Sequence, residues 1–143
     1  VVLAQSVTVE PGENYGALHD RLAEIGAGLL ARALDSAAAG GFPRHPQSGE
    51  ASLTRPLAKD DLILDLEQPT SRIVDKIRSL SPQPAARAMF GSELVKILRA
   101  HESAEGELVI DELIAPNRGR MSGEEYLRMR PSTPLRTGLD DRA

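Results

Sequence analysis

The apolar residues of the first 41 positions repeat at helical spacing, and this repeat constrains the fold more than any other feature of the sequence. The stripe consists of Leu18, Leu22, Ile25 and Leu29. Separations of four, three and four residues place these side chains on one face of an α-helix. Two glycines at positions 40–41 follow the stripe and favour its end. The pattern predicts a long amphipathic helix that stops at this glycine pair.

The residues before this helix carry a different pattern, an alternation of apolar and smaller or polar side chains. The alternating apolar residues are Val1, Leu3, Val7 and Val9. This period of two is typical of a β-strand. Because the first residue is Val1, the chain is expected to begin inside an element, as a fragment, a processed product or an excised domain would.

Residues 42–61 are expected to form a linker, since positions 42–54 are rich in proline, serine and glycine. The apolar segment 62–66 follows, either as a short strand or as an extended lead into the next helix. That helix is predicted from Ile73, Val74, Ile77 and Leu80, which share one helical face. Thr70 or Ser71 is its expected N-cap, and the prolines at 82 and 84 end it.

Short strand-like runs dominate the remainder of the chain. A hairpin is predicted from residues 86–90 and 94–101 around the Gly91-Ser92 turn, and a further strand from residues 107–114. Residues 116–119 are expected to break that strand. Ser122 and Glu125 have the spacing of a capping box, which predicts a last short helix. Residues 131–143 lack periodicity and are expected to be a disordered tail.

Composition excludes several functional classes. The 143 residues contain no cysteine, which excludes disulfides, thiolate metal sites and a cysteine nucleophile. No long apolar run or signal sequence is present, so a cytoplasmic location without a membrane partner is expected. The net charge of −4 argues against a general nucleic-acid binder. Residues 1–65 carry five basic and nine acidic side chains, whereas residues 66–143 carry twelve of each. Any phosphate contact is therefore expected in the second half.

Four groups of motifs, in this order, resemble the later part of the methionyl-tRNA formyltransferase family. They are ENYG at 13–16 with HDRLAEIG at 19–26; LAKDD at 57–61 with LDL at 64–66; the helix 73–84 ending in SPQP with LVKI at 94–97; and GRMS at 119–122 with EYL at 125–127. Each motif is short, but their common order across residues 1–130 is specific to this family.

The resemblance implies an α/β fold with three parts and a tail. Residues 1–41 would be the C-terminal end of a Rossmann-like formyltransferase domain, and residues 42–61 the linker. Residues 62–130 would be a small α+β module resembling a partial oligonucleotide-binding (OB) barrel. Only residues 101–106 separate two of its predicted strands. The module is therefore expected to be shortened and to form an open sheet.

The resemblance also implies a chemistry. The family transfers a formyl group from 10-formyltetrahydrofolate to the methionine of initiator methionyl-tRNA. Its catalytic asparagine, histidine and aspartate and its folate loop precede the matched region, so no catalytic or folate-binding residue carries over to this chain. His19, His45 and His101 have no common metal-ligand spacing, and no metal is expected. The missing N-terminal catalytic domain would be this chain's partner, together with the tRNA.

Five basic residues are the candidates for tRNA contact: Lys59, Lys96, Arg99, Arg118 and Arg120. If they converge on one face, they could neutralise backbone phosphates. The alternative interpretation is that they only solvate a strand edge and a loop. In that case acidic neighbours balance them, namely Glu93, Glu102, Asp111 and Glu112.

Two functions therefore remain open. The first is the tRNA-positioning part of a methionyl-tRNA formyltransferase, inactive without the upstream domain. The second is a truncated or decayed relative that acts only as an interaction module without catalysis. Formyltransferases that act on sugars and formyltetrahydrofolate hydrolases fit less well, because the Arg120-Met121-Ser122 motif disfavours them.

Overall fold

The computed structural model describes residues 1–41 and 44–129, together with the backbone of residues 135–136. These residues fall into two compact units. The first comprises Val1–Glu13 and Ala17–Pro56, and the second comprises Asn14–Gly16 and the chain from Leu57 onward. Among the described residues, no helix combines the length and apolar character that crossing a bilayer requires.

The predicted long helix is confirmed as α1, Tyr15–Ala38. Gly40 follows it with a φ of 86°, the left-handed conformation that commonly terminates helices. The described residues cover its apolar stripe only in part: Leu18, Ile25 and Leu29 are half-buried, and the Leu22 side chain is 44% exposed. The sequence period thus specifies the helix, although the described residues do not fully bury the face it creates.

The predicted opening strand is wrong. Residues 1–10 form no strand with the rest of the described chain. At one end the Val1 amino group donates to the His45 carbonyl, and the His45 N–H donates to the Val1 carbonyl, both at 2.8 Å. At the other end the Arg21 guanidinium donates to the Thr8 carbonyl at 2.8 Å, and the Glu10 N–H donates to the Glu13 carboxylate at 3.0 Å. An alternating pattern becomes a strand only beside another strand that accepts and donates its backbone hydrogen bonds.

The second unit contains a five-stranded antiparallel sheet and two helices. The strands are β1 (Ala86–Phe90), β2 (Glu93–Glu102), β3 (Leu108–Ala115), β4 (Gly119–Ser122) and β5 (Leu135–Arg136), and the helices are α2 (Thr70–Leu80) and α3 (Gly123–Met129). The spatial order is β4-β3-β2-β1-β5. The predicted hairpin, third strand and both helices are confirmed. Strand β4 was not predicted; it begins at the last residue of the break expected at 116–119, and it pairs with β3.

One face of the sheet forms the hydrophobic core. Helix α2 covers it with Ile73, Ile77 and Leu80, and α3 contributes Tyr126, which is fully buried. The Tyr126 ring meets the Phe90 ring edge to face at 5.2 Å between centroids. Apart from these two rings, the core consists of aliphatic and alanine side chains from the strands and from the segment after residue 61.

The two helix starts differ in how their hydroxyl groups are used. The expected N-cap of α2 is wrong, because Pro69 occupies the cap position and makes no side-chain cap bond. The Thr70 hydroxyl instead donates to the carbonyl of Gly106 at 2.7 Å, which ties α2 to the turn between β2 and β3. At α3 the prediction is confirmed, since the Ser122 hydroxyl accepts the Glu125 N–H at 3.1 Å.

The predictions for the segments around these elements can be compared with the structure only in part. Residues 62–66 form an extended lead rather than a full strand, with a single bridge from Ile63 to Arg87 after a short 3-10 helix at Asp60–Leu62. Within the predicted linker, residues 42–43 lie outside the described part of the chain. The predicted disordered tail also lies outside it, apart from Leu135–Arg136, whose backbone pairs with β1.

Candidate nucleic-acid interface

Basic side chains cross the sheet on the face opposite the core. The strand register aligns Arg87 on β1 with Lys96 on β2, Lys96 with Ile114 on β3, and Ile114 with Arg120 on β4. Directly opposed residues of antiparallel strands share one face. Arg87, Lys96 and Arg120 therefore form one line across four strands, which we call the cation row.

The cation row lies on the outer face because its neighbours along each strand are buried. Ala86 and Ala88 flank Arg87, and Val95 and Ile97 flank Lys96, all four with almost no exposed surface. Lys96 and Arg120 are exposed and Arg87 is half-buried. At a strand spacing of about 4.8 Å, the row is roughly 14 Å long from β1 to β4.

The structure brings three of the five predicted basic residues onto this face. Lys96 and Arg120 belong to the cation row, and Arg99 lies opposite Glu112 in the next register position. Lys59 lies instead at the start of the short 3-10 helix. Arg118 is exposed in the turn before β4, where its guanidinium donates to the Met129 sulfur at 3.1 Å.

Two of these cations are already paired with carboxylates. Arg120 donates through Nε and Nη2 to the two Glu112 oxygens, the latter bond at 2.8 Å. These hydrogen bonds, helped by the charge of Arg99, hold the pKa of Glu112 below its ordinary value of 4.5. The Arg99 Nε lies 3.8 Å from the Asp111 carboxylate. The expected balancing by Asp111 and Glu112 is thus confirmed.

The cations on β1 and β2 differ from these pairs. Lys96 makes no ion pair with any described residue, and the same holds for Arg87. The Arg87 Nε is in addition buried without a hydrogen-bond partner among the described residues. Sequence reasoning missed Arg87. The alternation of residues 86–90 could have found it, because Arg87 stands between two small core alanines.

Two of the three histidines contact an aspartate. His19 contacts the adjacent Asp20 at 3.1 Å, and the His101 Nδ1 lies 2.9 Å from the Asp111 carboxylate. The described residues hold no group of three or more histidine, aspartate or glutamate side chains arranged to bind a metal. The cation row can make electrostatic contact with an anion.

Comparison with known proteins gives consistent results. The family described as "Formyl transferase, C-terminal domain" matches residues 56–107. The methionyl-tRNA formyltransferase of Syntrophus aciditrophicus is 31% identical over 90% of this chain and 49% of its own length. That of Methylobacterium nodulans is 34% identical over 96% of this chain and 46% of its own length. The chain spans about half the length of these relatives, and the cation row lies partly inside the matched domain.

Proposed function

Because this chain belongs to the methionyl-tRNA formyltransferase family, we propose that it is the part of such an enzyme that docks the tRNA. Formyl transfer from 10-formyltetrahydrofolate to the methionine of initiator tRNA would be carried out by the half of the protein that this chain does not cover. The chain alone would be inactive as a transferase. Its role would be to orient the tRNA relative to that catalytic half.

The observation that supports docking is the adjacent pair of cations at the centre of the sheet. Arg87 and Lys96 are direct register partners on neighbouring strands, and neither is neutralised by a carboxylate among the described residues. Two basic residues on backbones about 5 Å apart, on one face of a sheet, can neutralise phosphates of one nucleic-acid backbone. Such contacts hold a substrate in register without reading its bases.

The composition of this face favours contact with backbone over stacking on bases. Of the Phe and Tyr rings in the second unit that the structure describes, Phe90 and Tyr126 are buried on the opposite face, and the exposed Tyr15 belongs to α1 and not to a strand of the sheet. Single-stranded nucleic acids are commonly bound by stacking on exposed aromatic side chains, and no described Phe or Tyr of the strands lies on this face. Folded RNA can instead be recognised by its shape, its phosphates and its 2′-hydroxyl groups.

The proposed domain organisation follows the same resemblance. Residues 1–41 would complete a Rossmann-like domain, residues 42–61 would link it to the docking module, and residues 62–130 would be a shortened OB-type module. The five-stranded sheet and the match to the C-terminal formyl transferase domain are compatible with the last assignment. Lys59, Arg99 and Arg118 would be secondary contacts beside Lys96, and Arg120 would become one only where its pair with Glu112 opens.

The test is a salt titration of the binding of this chain to initiator tRNA and to an elongator tRNA. We expect Lys96→Gln and Arg87→Gln each to weaken binding and to reduce the slope of log affinity against log salt by up to about 0.9, the value for one duplex phosphate contact. Arg72→Gln is the matched control. It removes the same charge from an exposed position of α2, which covers the core face.

One observation favours the second function, an interaction module without catalysis. Arg99 and Arg120 are both engaged by carboxylates, so the face is less basic than its residue types indicate. An interaction module without catalysis would show no salt-dependent binding to either tRNA at about 50 mM salt, where phosphate contacts are strong. That result would refute docking and favour the interaction module.

A further inference from the structure

Two consecutive acidic residues of β3 both face cations, which is unusual for neighbours on one strand. Successive strand residues normally point to opposite faces of a sheet. Here the pairing of β2 with β3 is irregular on either side of Arg99, so Arg99 is opposite Glu112 while Ala100 is opposite Ile110. Asp111 is left without an opposed partner and contacts Arg99 and His101.

These carboxylates divide the outer face into two parts. Glu112 engages Arg120 and Asp111 engages Arg99, so the side of the face toward β4 is largely neutralised. Arg87 and Lys96 on the β1 side have no carboxylate partner among the described residues. The irregular register therefore leaves net positive charge on only one part of a face that carries four lysine and arginine side chains.

We propose that Glu112 is a specificity-determining residue that withholds Arg120 from phosphates and so concentrates the RNA contact of the cation row on Arg87 and Lys96. This inference rests on the proposed docking function. If all of these cations were free to bind phosphate, the chain would bind most polyanions. If only the two adjacent cations are free, binding requires a nucleic-acid backbone whose phosphates lie over that pair. Glu112 would thus lower the affinity for polyanions in general and increase the selectivity for tRNA over other polyanions.

The geometry of the pair suits this role. A guanidinium that donates through two nitrogens to both oxygens of one carboxylate uses the same fork with which it would bind a phosphate. Glu112 has 22% of its side chain exposed and Arg120 has 65%, so the acid is partly shielded while the cation is close to solvent. A phosphate must displace Glu112 before it can bind Arg120 through the Nε and Nη2 donors.

The experiment compares Glu112→Gln with the unaltered chain, using heparin as a generic polyanion and initiator tRNA as the specific one. We expect the variant to elute from heparin at higher salt. Its slope for tRNA should steepen by about 0.9, so that affinity falls an additional three- to fourfold between roughly 50 and 200 mM salt. The preference for tRNA over heparin should decrease.

Glu124→Gln is the matched control. It removes the same charge and also releases an arginine, Arg128, which Glu124 holds at 2.8 Å on α3. If both variants shift heparin elution equally, only net charge matters and the inference is overturned. An unchanged elution of Glu112→Gln overturns it as well.

A second variant separates electrostatic from structural effects. Arg120→Gln should leave the salt slope of the unaltered chain nearly unchanged, but it should abolish the increase produced by Glu112→Gln. An equal effect of Arg120→Gln in both backgrounds would show that Arg120 already contacts the polyanion, contrary to the inference. If the unaltered chain binds no tRNA, the proposed function fails, whereas heparin elution still reports whether Glu112 occupies Arg120.

Discussion

Substitution of Gly123 by alanine should destabilise the second unit through a collision with backbone atoms. Gly123 is the buried first residue of α3, and a methyl group at its Cα would lie 1.9 Å from the carbonyl oxygen of Ile110 and 2.8 Å from its carbonyl carbon. Its φ lies outside the left-handed region, so the effect is steric. Helix α3 and strand β3 would have to separate by about 1.1 Å to reach even the 3.0 Å limit of real contacts.

The size of the destabilisation follows from the contacts that this separation of α3 and β3 would weaken. Overpacking a well-filled site costs about 1–3 kcal/mol. A gap of 0.5–1 Å also removes about a quarter to a half of the dispersion energy of the contacts across it. Those contacts include the fully buried Tyr126 ring of α3. We therefore expect the free energy of unfolding to fall by about 2–4 kcal/mol.

Urea unfolding, followed by far-UV circular dichroism and tyrosine fluorescence, measures this loss. An m-value of about 1–2 kcal/mol/M would place the midpoint of Gly123→Ala roughly 1–4 M below that of the unaltered chain. Gly26→Ala is the control, because a Cβ at Gly26 in α1 meets no atom within 4 Å. Alanine there should be neutral or stabilise by about 0.5–1 kcal/mol. A loss below about 0.5 kcal/mol for Gly123→Ala would refute the steric argument.

Three further substitutions test the same unit. Ser122→Ala removes the acceptor of the Glu125 N–H and should cost about 1 kcal/mol in urea unfolding, whereas Ser122→Thr should restore most of it. Ile77→Ala empties a buried core position and should cost about 2–5 kcal/mol, and a loss under 1 kcal/mol would contradict the assigned core. The lowered pKa of Glu112 predicts that its pair with Arg120 stabilises the fold above pH 4.5 and is lost as pH falls through the lowered value. The stability difference between the unaltered chain and Glu112→Gln should therefore shrink in acid, and a difference that is constant between pH 7 and pH 3 would contradict this.

The elements that could be predicted from the sequence are those whose signal lies within a few residues. Helix α2 follows from the spacing of Ile73, Ile77 and Leu80, and the β1–β2 hairpin follows from two alternating runs around Gly91. Strand β4 could not be predicted in this way. It has four residues and little apolar alternation, and it is a strand because β3 supplies its hydrogen-bond partners.

The candidate site was predictable in its residue types but not in its arrangement. Lys96, Arg99 and Arg120 are visible as basic residues in the second half of the chain, and the structure places all three on one face. Which of them is neutralised depends on the irregular pairing around Arg99, which brings both Asp111 and Glu112 against cations. Arg87 enters the site only through its register with Lys96.

The sequence by itself determined the helices, the hairpin and the concentration of basic residues after residue 65, because side-chain period and turn chemistry act over one or two turns of chain. Only the tertiary structure decided that the opening segment is not a strand and that residues 119–122 are one, β4. It also decided which cations of the outer face are paired with carboxylates. Each of these depends on which distant backbone lies alongside. A strand needs a partner for its hydrogen bonds, and an ion pair needs two side chains within about 4 Å.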